Sequence, residues 1–98
     1  MRLFFIILTA YIIPLPLLAQ TLKGRIINEK GEAIPYATIY VEEIALGIVS
    51  DDLGEFQTTL ENGQYTFIAS SLGHEKKKIP VTISQKEATL EIILQEKV

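Results

Sequence analysis

The spacing of the turn residues constrains this chain more than any other feature. From residue 20 onward, Gly, Pro, Asn and Asp recur every 8–12 residues. The segments between them are too short for ordinary helices and show no helical period. They alternate instead. In Tyr36–Glu42, Ala37, Ile39 and Val41 alternate with Thr38, Tyr40 and Glu42, so one face is expected buried and the other wet. Twenty-two of the 79 residues from Gln20 to Val98 are Val, Ile or Thr, the types that fit a pleated surface.

Seven strands follow from this pattern: Leu22–Ile27, Tyr36–Glu42, Leu46–Ser50, Glu55–Leu60, Gln64–Ser71, Lys78–Ser84 and Ala88–Leu94. Asn28 to Glu32 reads as a turn containing Gly31, and Pro35 stops the ladder before the second strand. Asp51-Asp52-Leu53-Gly54 reads as a tight turn closing a hairpin. Gly54 would take the positive φ, and either Asp51 or Asp52 would cap the turn. Phe56 would then drop into the core and fix the register. Glu61-Asn62-Gly63 is the strongest hairpin signal in the chain. Pro80 would face outward on an edge strand. Gly24, inside a strand, predicts a close backbone approach or a bulge. The chain has no internal repeat, low-complexity tract or linker. The expectation is an all-β, seven-stranded antiparallel Greek-key sandwich.

Residues 1–19 are of another kind. Fifteen of them are apolar, Arg2 supplies a positive start, and Pro14 and Pro16 break any helix. The segment ends at Ala19, a small residue suited to signal peptidase. We read residues 1–19 as a cleaved signal peptide and residues 20–98 as the exported domain. The apolar stretch is at the lower limit for a membrane span, so no integral span is expected after cleavage.

Composition excludes several classes. The net charge is −3, with only one short Lys run, which is a poor footprint for nucleic acid. There is no Cys, hence no disulfide framework, thiolate zinc site or catalytic thiol. Export without cysteine fits a bacterial envelope.

Three motifs resemble a known family. The run Gly24 to Val41 resembles its strand, glycine turn, proline and A-x-V strand. Gly47-Ile48-Val49-Ser50-Asp51-Asp52-Leu53-Gly54-Glu55-Phe56 resembles its G-x-x-T/S-D-x-x-G-x-F hallmark. Tyr65 to Gly73 resembles its L-x-x-S-x-x-G-Y/F strand, with His74 where an aromatic is usual. The family is the carboxypeptidase regulatory-like domain, a transthyretin-like β-sandwich. It often follows the signal peptide of TonB-dependent outer-membrane receptors, including SusC-like glycan transporters. The resemblance makes Gly24, Gly31, Pro35, Asp51, Asp52, Gly54, Phe56 and Gly73 structural hallmarks. It implies a non-catalytic envelope module, in the periplasm or on the periplasmic face of the outer membrane of a gram-negative bacterium. Its partners would be a receptor plug or barrel, a partner lipoprotein or an energising protein. The sequence stops at Val98, before any plug or barrel, so no transport activity carries over. The alternative is a stand-alone periplasmic protein binding a small ligand or carbohydrate.

Chemical candidates are few. Asp51, Asp52 and Glu55 do not follow the order of a calcium loop. Glu42 and Glu43, adjacent in a strand, would point to opposite faces. His74 stands alone and is expected in an exposed loop. No G-x-S-x-G elbow accompanies the serines. No catalytic, metal or cofactor residue is assigned, and no enzyme activity is expected. The residues left for contact with a partner are Tyr36 and Tyr40, on one wet face, and Lys76, Lys77 and Lys78.

Overall fold

A computed structural model describes residues 19–84 and 87–98. The segment read as a signal peptide lies, but for Ala19, outside the described residues. Among the described residues there are seven strands: β1 (Ala19–Ile27), β2 (Thr38–Val41), β3 (Leu46–Val49), β4 (Glu55–Glu61), β5 (Gly63–Ser70), β6 (Lys77–Ile83) and β7 (Glu87–Ile93). Each of the seven expected segments forms one. They build a three-stranded sheet in the order β4-β1-β7 and a four-stranded sheet in the order β3-β2-β5-β6.

The alternation places the core. Leu22 and Ile26 from β1, Ile39 and Val41 from β2, Phe56 and Leu60 from β4, Phe67 and Ala69 from β5, and Val81 and Ile83 from β6 are buried together. Ile92 and Leu94 close the cluster. Phe67, on a central strand of the larger sheet, is fully buried. β6 is an edge strand and Pro80 on it is exposed, as expected from a residue that cannot donate to a ladder.

Four expectations need correction. First, the sandwich is not wholly antiparallel, because β7 runs parallel to β1, with Thr21 opposite Glu87 and Ile27 opposite Ile93. A parallel neighbour needs no tight turn, so it leaves no local signal. Second, Asn62-Gly63 makes no hairpin. β4 and β5 lie in different sheets, Gly63 is near-extended at φ 158°, and Asn62 has no positive φ. The pair marks a corner where the chain changes sheets, and the Tyr65 hydroxyl donates to the Glu61 carbonyl across it at 2.7 Å. Third, the Asp51–Gly54 turn likewise joins β3 in one sheet to β4 in the other, rather than closing a hairpin. Fourth, β2 is shorter than expected at both ends. Tyr36 is left-handed at φ 56°, and its N–H donates to the Asp51 carbonyl at 3.2 Å. Glu42–Ile44 forms a 3₁₀ turn, so the strand rule does not apply to Glu42 and Glu43.

Candidate functional site

Of the hallmark residues, Asp51, Gly54 and Phe56 form a structural corner. Asp51, not Asp52, is the cap. Its Oδ1 accepts from the Leu53 N–H at 2.9 Å and the Glu55 N–H at 2.8 Å. The Asp51 N–H donates to the Glu55 carbonyl at 2.9 Å, and the Gly54 N–H donates to the Asp51 carbonyl at 3.1 Å. Gly54 sits at φ 73°. A Cβ there would stand 2.6 Å from the Ile26 carbonyl oxygen, so this position excludes a side chain twice over. Ser50, buried just before it, accepts from the Ala37 N–H at 2.8 Å and ties the β1–β2 connection to the β3–β4 corner. Pro35 is exposed in that connection.

The first turn repeats the device. Asn28 Oδ1 accepts from the N–H groups of Lys30 and Glu32, each at 2.9 Å, and Gly31 takes φ 83°. Asn28-x-x-Gly31-Glu32 and Asp51-x-x-Gly54-Glu55 are the same five-residue loop. Their common spacing, an Asx residue three before Gly-Glu, was the signal available in the sequence.

Gly24 does make a close approach, but to a side-chain ring and not to a backbone or at a bulge as expected. It lies opposite Phe56 in the β1–β4 ladder, and a Cβ on it would fall within the Phe56 ring. The missing side chain is the space that the ring fills.

The contact candidates separate. Tyr40 is exposed between buried Ile39 and Val41, on the outer face of the four-stranded sheet. Its register partners are Gly47 on β3 and Ile68 on β5, and Ile68 is opposite Lys78 on β6. Gly47, Tyr40, Ile68 and Lys78 thus form one row across the whole face. Val49, 63% exposed, lies in the next row opposite Thr38. Tyr36 is more exposed than Tyr40, but it lies in the turn before β2 and not on this strand face. Lys77 turns away as well, and its Nζ donates to the Ile93 carbonyl at 3.3 Å, joining edge strands of the two sheets. Lys76 is exposed just before β6.

The outer face of the smaller sheet is different in kind. Arg25 lies between Glu55 and Glu91 in register, and Lys23 between Gln57 and Thr89. An open groove of about 900 Å³ crosses these strands and reaches Ile48 and Val49 on β3. Its rim charges are of both signs.

Glu43 has a role that sequence reasoning missed. β2 stops at Val41, opposite Phe67, so the next residue of β5, Thr66, has no partner on β2. The Glu43 carboxylate takes that place. Oε1 accepts the Thr66 N–H at 2.7 Å and Oε2 accepts the Thr66 hydroxyl at 2.8 Å. These two bonds hold its carboxyl below the ordinary value of 4.5, the backbone bond contributing most. Twenty-three positions separate the partners, and no local pattern announces the contact.

His74 is half-buried rather than exposed. It forms an isolated antiparallel bridge with Glu96, and the Lys97 N–H donates to the Gly73 carbonyl at 2.9 Å. The segment after β7 is thus hydrogen-bonded alongside this loop. Among the described residues no group of three His, Cys, Asp or Glu side chains gathers as metal ligands would. Among them, too, no helix is long and apolar enough to cross a membrane.

The comparisons agree with this geometry. The CarboxypepD_reg-like domain family matches residues 22–98. No curated protein matches the chain. Solved structures with a similar fold include the Bacillus anthracis TIE protein, at 20% identity and TM-score 0.68, covering 80% of this chain and 16% of that one. A DUF3823 family protein from Bacteroides ovatus aligns at 19% identity and TM-score 0.66, covering 78% and 43%. Catechol 1,2-dioxygenase from Pseudomonas arvilla aligns at 10% identity and TM-score 0.69, covering 83% and 53%. The chain thus spans between 16% and 53% of these proteins, and at such identities the likeness is one of fold alone. With the Gly54 corner, the Gly24–Phe56 contact and a match over residues 22–98, the chain belongs to the CarboxypepD_reg-like domain family.

Proposed function

We propose that this protein is a non-catalytic interaction module of the bacterial cell envelope, exported by residues 1–19 and docking onto another envelope protein. The observation that carries this reading is the contrast between the two outer faces. The smaller sheet shows water a ladder of charges, Glu55–Arg25–Glu91. The larger sheet shows Tyr40, Ile68 and Val49 beside Lys78. An exposed aromatic with aliphatic neighbours and a cation at one side is the composition of a protein contact rather than of a solvated face. Asp51 and Gly54 are occupied in building the corner, and Gly24 makes room for the Phe56 ring, so these hallmark residues have structural employment that supports an interaction module.

The finer reading is the N-terminal accessory domain of a TonB-dependent outer-membrane receptor of a gram-negative bacterium. The sandwich would be of the Greek-key, transthyretin-like type, which the sheet orders β4-β1-β7 and β3-β2-β5-β6 support. One observation favours a second reading, a small-ligand-binding protein: the open groove with Lys23, Arg25 and Glu91 at its rim. A melting shift with an oligosaccharide would support it.

The test of export is the intact mass and N-terminal residue of the native protein from fractions of its own host. The expected result is an envelope species beginning at Gln20. A cytoplasmic species that retains residues 1–19 overturns the reading. A polypeptide several-fold heavier than 11.0 kDa in the outer membrane, carrying this sequence at its front, is the signature of the receptor role.

A further inference from the structure

The Asn62-Gly63 pair is the one strong motif left unused, since no hairpin forms there. We propose that Asn62 is a site of spontaneous deamidation, a slow covalent change at the corner between the two sheets. Asn62 is exposed. The residue after it, Gly63, begins β5 opposite Ile83, and it has no Cβ to obstruct the Asn62 side chain as it approaches the backbone nitrogen.

The chemistry needs only water. The Gly63 backbone nitrogen attacks Asn62 Cγ and a C–N bond forms. The bond from Cγ to Nδ2 breaks, Nδ2 keeps the electron pair and takes up, through water, the proton that the Gly63 nitrogen gives up, and ammonia leaves, giving a five-membered succinimide. Water then opens the ring at either carbonyl. One opening gives aspartate. The other gives isoaspartate, in which the backbone runs through the former side chain and is one atom longer. No oxidant or reductant is involved, and the protein gains one negative charge. The new carboxylate stands beside Glu61, whose carbonyl holds the Tyr65 hydroxyl at 2.7 Å. The lengthened link lies where that bond spans the corner.

The chain carries its own control. Its other asparagine, Asn28, is followed by Glu29, which has a side chain. The Asn28 carboxamide is also committed to three hydrogen bonds, accepting from the Lys30 and Glu32 N–H groups and donating to Glu32 Oε1 at 2.9 Å. Cyclisation there must first break them, which slows Asn28 by roughly ten-fold or more.

The experiment incubates the purified, folded full chain at mildly alkaline pH. It is then cleaved after Lys and Arg and both asparagines are read by mass spectrometry. Asn62 falls in peptide 31–76 and Asn28 in peptide 26–30. The expected result is amide-to-acid conversion in peptide 31–76, with isoaspartate present, at least about ten-fold faster than in peptide 26–30. A more acidic species should appear on anion exchange and be absent from Asn62→Gln. Equal rates at the two sites overturn the proposal. So does conversion of Asn62 in the urea-unfolded chain but not in the folded one, because the corner would then protect it.

Discussion

Asp51 and Asp52 are neighbouring carboxylates with unequal roles. Asp51 accepts two backbone N–H groups and Asp52 accepts none of the turn's bonds. Asp51→Ala should cost about 1.5–3 kcal/mol of stability, the range for hydrogen bonds to a charged group. Asp52→Ala should stay within about 0.5 kcal/mol. Paired denaturant titrations of the two variants check this. The sequence left the choice between them open because it depends on the path of the backbone, which composition does not encode. Gly24 was legible. A glycine inside a strand signals a close approach, but the expected backbone or bulge is not what it meets: the Phe56 ring is. Gly24→Ala should cost about 1–3 kcal/mol by overpacking. Adding Phe56→Leu, which removes the ring, should return part of that loss. A double-mutant cycle showing additive costs would contradict this contact.

At the scale of elements, the strands were legible and their neighbours were not. The alternation in Thr38–Val41 or Lys77–Ile83 states which side chains face inward. It does not state which strand lies alongside, so the parallel β1–β7 pair and the corner at Asn62 were beyond local reading. Glu43 shows the same limit, since its partner Thr66 is distant in sequence. Its behaviour with pH follows from linkage. The folded-state carboxyl lies below its ordinary value of 4.5, so the carboxylate form is favoured by folding. The stabilisation is fully present above 4.5 and is lost as pH falls through the lower folded value. Glu43→Ala should therefore melt below the wild type at neutral pH. The gap should close as the solution is acidified below 4.5. Thermal melts of both proteins across that range provide the check, and a gap that grows in acid would contradict the bond to Thr66.

At the scale of the whole molecule, the two sheets divide the work. Their inner faces share one core around Phe67, and their outer faces differ in chemistry. The placement of Tyr40 and Lys78 was readable in part. Both were visible as outward residues, but Ile68 joins them only through the β5 register. Strand alternation puts Tyr36 on the face of Tyr40, and the Lys run puts Lys77 beside Lys78, but the turn before β2 and the bond to Ile93 separate them. A protein contact on this face makes one measurement decisive. The native size of the wild type and of Lys78→Glu should be compared in mild envelope extracts of the host, with the fold of the variant verified by its melting curve. The expected result is that the wild type migrates in a complex heavier than its own polypeptide, and that Lys78→Glu, equally stable, is released from it. A wild-type chain that migrates alone, or a variant that stays bound, would contradict a docking role for this face.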